Sequence, residues 1–477
     1  METVAMDVEG EFGISKAGNQ TFILNGYEYV QHRVTVDGDR VWRCCKARSL
    51  KCKSSLVCDG PKVVRVNNAN HNHESNVATV LARKAVGEMK RTMTDTLAGS
   101  SATQGAACSK LPDHVLMGLP KKTSLGRVLR RHQQKVLTSG YADNALPPCP
   151  TDLTFTVPPR FADFVLFDSG AGEDRIIILG CNQLLDGLAR STLWLADGTF
   201  KVTPSLFFQL YSIHFQFVTG VNPAAVYCLL PNKTRQTYDR MLVALRDLVP
   251  AANPATVLVD FEVATIGAFQ AAYPNAHVSG CYFHLSQSVI RKVNEIGMKV
   301  NYETDDEVRG CVRCLAALAH VPVEDVAEAF DNLVESMPVV DHMDELVTYF
   351  EHTYIRGRRL RGRGENFGPP LFSIETWNQR DAATDGIART TNSVEGWHHG
   401  LATLFQCNHP TMWKFLSGLE SDCGKQRASF LQGVTGVEQP AVKRYRILKE
   451  RVMNAVGTYG KTEILTYLRS IAFLTHT

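Results

Sequence analysis

The chain has no apolar run approaching the roughly 18 residues that a membrane-crossing helix needs, so a membrane-spanning role is not expected. Its opening stretch, METVAMDVEGEF, is acidic and has no apolar centre, so no secretory leader is expected either. A tandem repeat is also missing, which sets aside repeat architectures. Charge of one sign is scarce: the net charge of +3 does not mark the whole surface as a binder of polyanions. Basic residues would have to cluster for that, and they do. What remains is ordinary: 44% hydrophobic and 21% charged residues, as in a soluble globular protein. A length of 477 residues implies two or three domains. In an intracellular setting the 13 cysteines read as thiols and metal ligands rather than disulfides, and their odd number agrees.

The composition shifts along the chain. Residues 20–74 are rich in aromatics, Cys and His and read as a small zinc finger. Residues 75–145 read as a linker with helical and basic segments. Within it, 78–93 has helical spacing at Val80, Leu81, Ala85 and Met89, although Gly87 weakens that pattern. SSATQGAACSKLPD (100–113) reads as a breaker-rich loop, and LPKKTSLGRVLRRHQQK (119–135) as a basic helix or arm. From about residue 150, strands and helices alternate. LWLADGTFKV, SLFFQLYSIHFQF and AAVYCLL read as three strands. A helix over 232–250, the strand TVLVDF, a helix over 264–273, the strand HVSGCYFH and a helix from Leu285 follow. That order suits a ribonuclease-H-like mixed sheet in an α/β protein, occupying 150–295 and 380–435. Residues 296–379 read as an all-helical insertion ending near a basic loop, RGRRLRGRG, and 436–477 as a helical tail.

Three acids stand out. Asp197 follows the apolar run Leu193-Trp194-Leu195, and Asp260 ends Val257-Leu258-Val259. A carboxylate at a buried strand is costly unless it meets a metal or another partner. Glu395 lies in TTNSVEGWHHG, a helix-like segment. Singly, acids at strand ends are common turn and cap residues. Two in strand order, followed by a late glutamate on a helix, make the pattern of a metal-dependent phosphoryl-transfer site. The neighbouring His398 and His399 could contact DNA or metal, or simply pack.

These segments resemble the catalytic domain of Mutator-like element (MULE) transposases, over roughly residues 125–435. The resemblance rests on Leu195–Phe200, LVDFE at 258–262, GCYFH at 280–284 and NSVEGWH at 392–398, with Glu375-Thr376-Trp377-Asn378 as a weaker echo. It implies a DDE active site in which Asp197 bridges two Mg²⁺ or Mn²⁺ ions, and Asp260 and Glu395 each complete one side. One metal would activate water to cut an element end, and the freed 3′-hydroxyl would attack target DNA. It further implies that Cys281 and His284 form a structural pair beside the site. A zinc set joining them to Cys311 and Cys314 is the less favoured alternative, because those two cysteines lie in a helix-like run where buried thiols are ordinary.

Near the N-terminus, Cys44, Cys52, His71 and His73 supply two thiolates and two imidazoles, a complete tetrahedral zinc set. Cys45 competes with Cys44, which is preferred. His-x-His places both rings on one face of an extended strand. Phe22, Tyr27, Tyr29 and Trp42 would supply a small core. The pattern Phe22, Leu24, Tyr27 or Tyr29, Trp42-Arg43-Cys44, Cys52 and His71-Asn72-His73 resembles a FLYWCH zinc finger. Arg43, Lys46, Arg48, Lys51 and Lys53 surround the cysteines without an intervening acid, which suits DNA phosphates. A solvated charge run is the plainer reading, and a protein-binding finger remains open.

The expectation is therefore a nuclear DNA transposase, homo-oligomeric if two element ends are brought together, with Zn²⁺ in the finger and Mg²⁺ or Mn²⁺ in the core. The alternatives are a domesticated DNA-binding transcriptional regulator without catalysis, and a structure-specific nuclease that cuts without joining.

Overall fold

The computed structural model describes residues 8–14, 20–35, 38–75, 77–95, 98–138, 147–217, 222–360, 367–435 and 443–475. It divides into two compact units, 1–148 and 149–477.

The first unit begins with six strands: β1 (Glu11–Ile14), β2 (Gln20–Leu24), β3 (Tyr27–Val34), β4 (Arg40–Cys44), β5 (Ser55–Asp59) and β6 (Lys62–Asn68). Each pairs antiparallel with the next, giving a meander in chain order. Asn25 and Gly26 both take positive φ, 50° and 78°, as a two-residue hairpin between β2 and β3 requires. Strand alternation turns Trp42 and Cys44 to one side, where they are buried with Phe22, Tyr29, Leu56 and Val63.

The segment expected as a linker with helical pieces holds four helices, α1 (Val77–Asp95), α2 (Ser100–Cys108), α3 (Asp113–Leu116) and α4 (Lys122–Thr138), of which α1 and α4 fall where 78–93 and 119–135 suggested them. Met89, Met93, Leu125 and Leu129 form their core. The run 100–113, expected as a loop, is helical over its first nine residues. Ala102, Ala106 and Ala107 favour that state, and α2 packs against α1 and α4. Residues 139–146 of the expected linker lie outside the described residues.

The second unit is built on a seven-stranded mixed sheet: β7 (Val165–Asp168), β8 (Ile177–Gly180), β9 (Leu193–Thr199), β10 (Gln209–Phe215), β11 (Ala224–Leu230), β12 (Thr256–Val259) and β13 (His277–Gly280). Their order is β13-β12-β9-β10-β11-β8-β7. β9, β12 and β13 run parallel, and the rest pair antiparallel. Every residue of β10 and β11 is buried, as expected for central strands covered on both faces. Helices α5 (Asn182–Arg190), α6 (Arg235–Leu248), α7 (Val263–Ala272) and α8 (Tyr282–Glu295) connect or flank the strands.

HVSGCYFH is strand only through Gly280. Cys281 is the N-cap of α8, so His284 stands in a first helical turn rather than on a strand.

Six helices follow: α9 (Lys299–Thr304), α10 (Asp306–Ala317), α11 (Val326–Glu335), α12 (Met343–Phe350), α13 (Ile374–Trp377) and α14 (Arg380–Thr384). Gln379 anchors them to the sheet, donating to Ser279 Oγ at 3.1 Å and to the Gly280 carbonyl at 2.7 Å. Trp377, part of the weaker echo, is buried and donates to the Tyr354 carbonyl, a packing role. Within the basic loop, Arg356 pairs with Asp331 and Glu351, and residues 361–366 lie outside the described residues. The chain then forms α15 (Asn392–Phe405), α16 (Met412–Val434), α17 (Lys443–Val456) and α18 (Ile464–Thr475). Tyr467 of α18 donates to the His320 carbonyl at 2.7 Å. No described helix is long and apolar enough to cross a membrane.

Candidate metal centres

In the first unit, Cys44, Cys52, His71 and His73 bring their ligand atoms within 4.8 Å of one another. Cys44 Sγ is 3.2 Å from His73 Nε2, Cys52 Sγ is 3.4 Å from His71 Nδ1, and the two ring nitrogens are 3.3 Å apart. The opposite ring atoms are already engaged. His71 Nε2 meets the Tyr29 hydroxyl at 2.9 Å, and His73 Nδ1 lies 3.0 Å from the Glu74 carbonyl. Those contacts leave Nδ1 of His71 and Nε2 of His73 facing the thiols, the arrangement that orients imidazole ligands at a metal. Tyr27 stacks on His71 with ring centroids 3.5 Å apart. Burial raises the Cys44 thiol to about 12 in the metal-free set. Two soft sulfurs and two imidazoles fit Zn²⁺, which would favour the thiolates. Cys45 is not part of the cluster. Arg43, Lys46, Arg48, Lys51 and Lys53 are all exposed around it.

In the second unit, an apolar cluster explains how distant segments meet. Leu195, Leu258, Cys281 and Val394 are buried together, with Phe283 and Trp397 against them. Leu195 lies two residues before Asp197, Leu258 two before Asp260, Cys281 three before His284, and Val394 one before Glu395. Packing those four side chains carries the polar residues to one place.

Asp197 lies near the end of the interior strand β9, almost wholly buried, and Gly198 N–H donates to its Oδ1 at 2.6 Å. Asp260 directly follows β12. His284 Nδ1 sits 2.7 Å from Asp260 Oδ1, and its Nε2 sits 3.3 Å from Glu395 Oε1, so one imidazole bridges two of the acids. His398, one turn beyond Glu395, places Nδ1 3.5 Å from Asp197 Oδ2. The shifts follow from crowding. Burial, then the charge of Asp260, raises Asp197 to about 8. Burial also raises Glu395. For His284, burial pulls downward, but Asp260 and Cys281 reverse this and raise it to about 11. Burial and nearby His214 lower His398 to about 3, keeping that ring neutral.

The three carboxylates are not all within 4.8 Å of one another; among the described residues only the finger quartet meets that spacing. The donor set nonetheless suits a hard cation. Asp260 Oδ1 and His284 Nδ1 answer each other as a close ion pair, whereas buried His398 Nε2 has no hydrogen-bond partner among the described residues. Asp197, Asp260 and Glu395 are the residues that could hold a hard cation such as Mg²⁺ or Mn²⁺, which takes carboxylate oxygens. Cys281 instead packs as a buried thiol, accepting from Thr391 N–H and Oγ1 at 3.3 Å each, and so ties α8 to the start of α15. Cys311 and Cys314 are buried in α10 and do not complete a four-ligand set with Cys281 and His284.

Several contributors escaped the sequence reading. Tyr227 and Trp397 both donate to Asp422 Oδ2, at 3.1 and 2.8 Å, locking α15 to β11 through α16. Tyr238, which accepts from Gln209 at 2.8 Å, donates to Glu262 at 3.3 Å. None had a motif; β10 and β11 offered only uniform apolarity. Asp422→Ala would leave two buried donors unpaired and is expected to cost about 2–4 kcal/mol. Denaturant unfolding of the second unit checks this, and an unchanged midpoint would refute the anchoring role.

Comparisons with known proteins agree with the motifs. Residues 12–73 match the FLYWCH zinc finger domain and residues 193–288 match the MULE transposase domain. The N-terminal finger followed by a MULE domain is thus shown. The second match covers Asp197, Asp260, Cys281 and His284 and ends before Glu395. The comparison with curated proteins gives no match.

Proposed function

We propose that this chain is a DDE-type DNA transposase that cuts DNA at element ends and joins the freed end to target DNA. The observation that carries the reading is the His284 bridge. A residue inside the MULE match touches both Asp260, also inside it, and Glu395, outside it. His398, one turn beyond Glu395, reaches Asp197, which supports grouping the three acids in one site. The strand sequence supports a ribonuclease-H-like core: the five strands from β9 to β13 lie in the order third, second, first, fourth, fifth.

A pair of divalent ions held by Asp197, Asp260 and Glu395 would activate the attacking oxygen and stabilise the leaving one. The chain's own residues do the rest. Asp197 is fixed by its place on β9 and by Gly198 N–H. Glu395 is fixed by α15, whose Trp397 is pinned to Asp422. His284 holds the acids' charge when no cation is present. The finger, with zinc on Cys44, Cys52, His71 and His73, brings Arg43, Lys46, Arg48, Lys51 and Lys53 to DNA phosphates. Such a protein acts in the nucleus, and two element ends call for at least a dimer.

The test is metal-dependent cleavage and strand transfer on DNA carrying element ends. Activity with Mg²⁺ or Mn²⁺ that disappears in Asp260→Ala supports the reading. Cleavage indifferent to that substitution removes the DDE mechanism. DNA binding without cleavage under any divalent ion would favour a domesticated regulator, and cutting without joined products a nuclease.

A further inference from the structure

Helix α4 carries a charge excess that the described residues do not answer. Residues 77–138 hold eleven lysines and arginines against three acids, Glu88, Asp95 and Asp113, while the whole chain nets only +3. From His114 to Ala142 no acidic residue occurs. Leu125 and Leu129 turn into the bundle core. The 3.6-residue period then turns Arg127 and Arg131 outward, and both are exposed, as are Lys121, Lys122, Thr123 and Ser124.

This arrangement works against the helix in isolation. Arg127 and Arg131 are four apart and repel. Lys121 and Lys122 flank the positive end of the helix dipole, where cations are disfavoured, and the first turn has no acid. In α1 of the same unit, by contrast, Arg83 and Lys84 meet Glu28 and Glu11. None of Lys121, Lys122, Arg127 or Arg131 has an ion-pair partner among the described residues. An external polyanion would relieve both penalties together.

We propose that the outward face of α4 is a second DNA-contacting surface, separate from the finger. Lys121, Lys122, Arg127 and Arg131 take duplex phosphates, and the Thr123 and Ser124 hydroxyls donate to the same oxygens. The face reads backbone rather than base sequence. Among the described residues it exposes no Phe, Tyr or Trp, and the Gln133 amide is committed to the Met93 carbonyl at 2.6 Å. The inference rests on the DNA reading above.

The experiment uses the full zinc-loaded chain and a labelled DNA duplex, following affinity across a salt titration. The variant K121Q/K122Q/R127Q/R131Q is expected to lower the slope of log K against log salt by about 3–4, at roughly 0.9 per phosphate contact. R127K/R131K keeps the charge and should keep the slope. Matching circular dichroism and melting curves would show that the exposed substitutions leave the fold alone. A slope unchanged in the quadruple variant, but reduced when the five finger cations become glutamine, overturns the α4 face and leaves the DNA reading standing. A wild-type affinity indifferent to salt overturns both. Slope loss with double-stranded RNA but not with DNA overturns this proposal in favour of an RNA surface.

Discussion

Asp197→Asn is expected to lower metal-dependent strand cleavage by about a thousandfold or more while leaving the fold intact. A carboxylate shared by two divalent ions contributes several kcal/mol to catalysis, and each ~1.4 kcal/mol is tenfold in rate. The amide keeps the shape of the side chain but supplies no charge to hold the ions. Folding should tolerate the change, because burial and Asp260 raise Asp197 to about 8. In the metal-free protein near neutrality that carboxyl is mostly protonated and already resembles an amide. The sign gives a second readout. The folded state binds this proton more tightly than the unfolded state, whose carboxyl sits near 3.8. Its stability contribution is full below about pH 4 and fades as pH climbs through 8. Metal-free wild type should therefore lose stability across that window, and Asp197→Asn should lose less. Cleavage that survives the substitution would place Asp197 outside the chemistry, and identical pH profiles would mean that its carboxyl is not held protonated in the fold.

The second large effect concerns the finger. Removing zinc, or making Cys52→Ser, is expected to unfold the six-strand meander. Its apolar core is small, drawn from Phe22, Tyr29, Trp42, Leu56, Val63 and a few neighbours. A core of this size rarely supplies more than about 3–5 kcal/mol. Structural zinc supplies on the order of 10 kcal/mol at neutral pH, and losing one thiolate removes most of it. Hydrogen exchange followed by mass spectrometry should show amides of β2–β6 losing protection, with about one zinc per chain lost by elemental analysis. Retained protection in the zinc-free protein would mean that the strands stand without the metal. Either result also bears on DNA, since Arg43 and Lys46 flank a ligand cysteine and keep their positions only while it is held.

Much of this was legible because the chemistry left local marks. Cys44, Cys52 and His71-x-His73 carry their ligand geometry in their spacing, and the structure gathers them. The strands β9 to β13 announced themselves as apolar runs with turns between. The edge strand β7 and its neighbour β8 did not: VLFD and IILG are four residues each and adjoin a loop rich in Gly and Asp. The extent of β13 misled for a physical reason. Cys281, Tyr282 and Phe283 are strand-like residues, yet Cys281 caps a helix and the backbone turns there. The helical bundle of 77–138 was obscured by its small, mixed-polarity faces. Only once α1 and α4 are side by side do Met89 and Leu125 become a core. The role of Asp422 could not be read locally at all, since its partners Trp397 and Tyr227 lie 25 and 195 residues away.

That last separation has a kinetic meaning. Tyr227 on β11 waits for Asp422, and Gly280 on β13 waits for Gln379, about a hundred residues later. The strands that carry Asp197 and Asp260 can pair early, but the helix that carries Glu395 can dock only after the intervening helices have folded. Contacts closed over such loops form late, and chains dominated by them fold slowly. Until then β10 and β11, buried along their whole length in the folded protein, have only part of their cover, such as α5. Docking of α15 thus depends on contacts closed late in the chain. Substitutions deep in the intervening helices should lower the yield of soluble protein before they touch its chemistry.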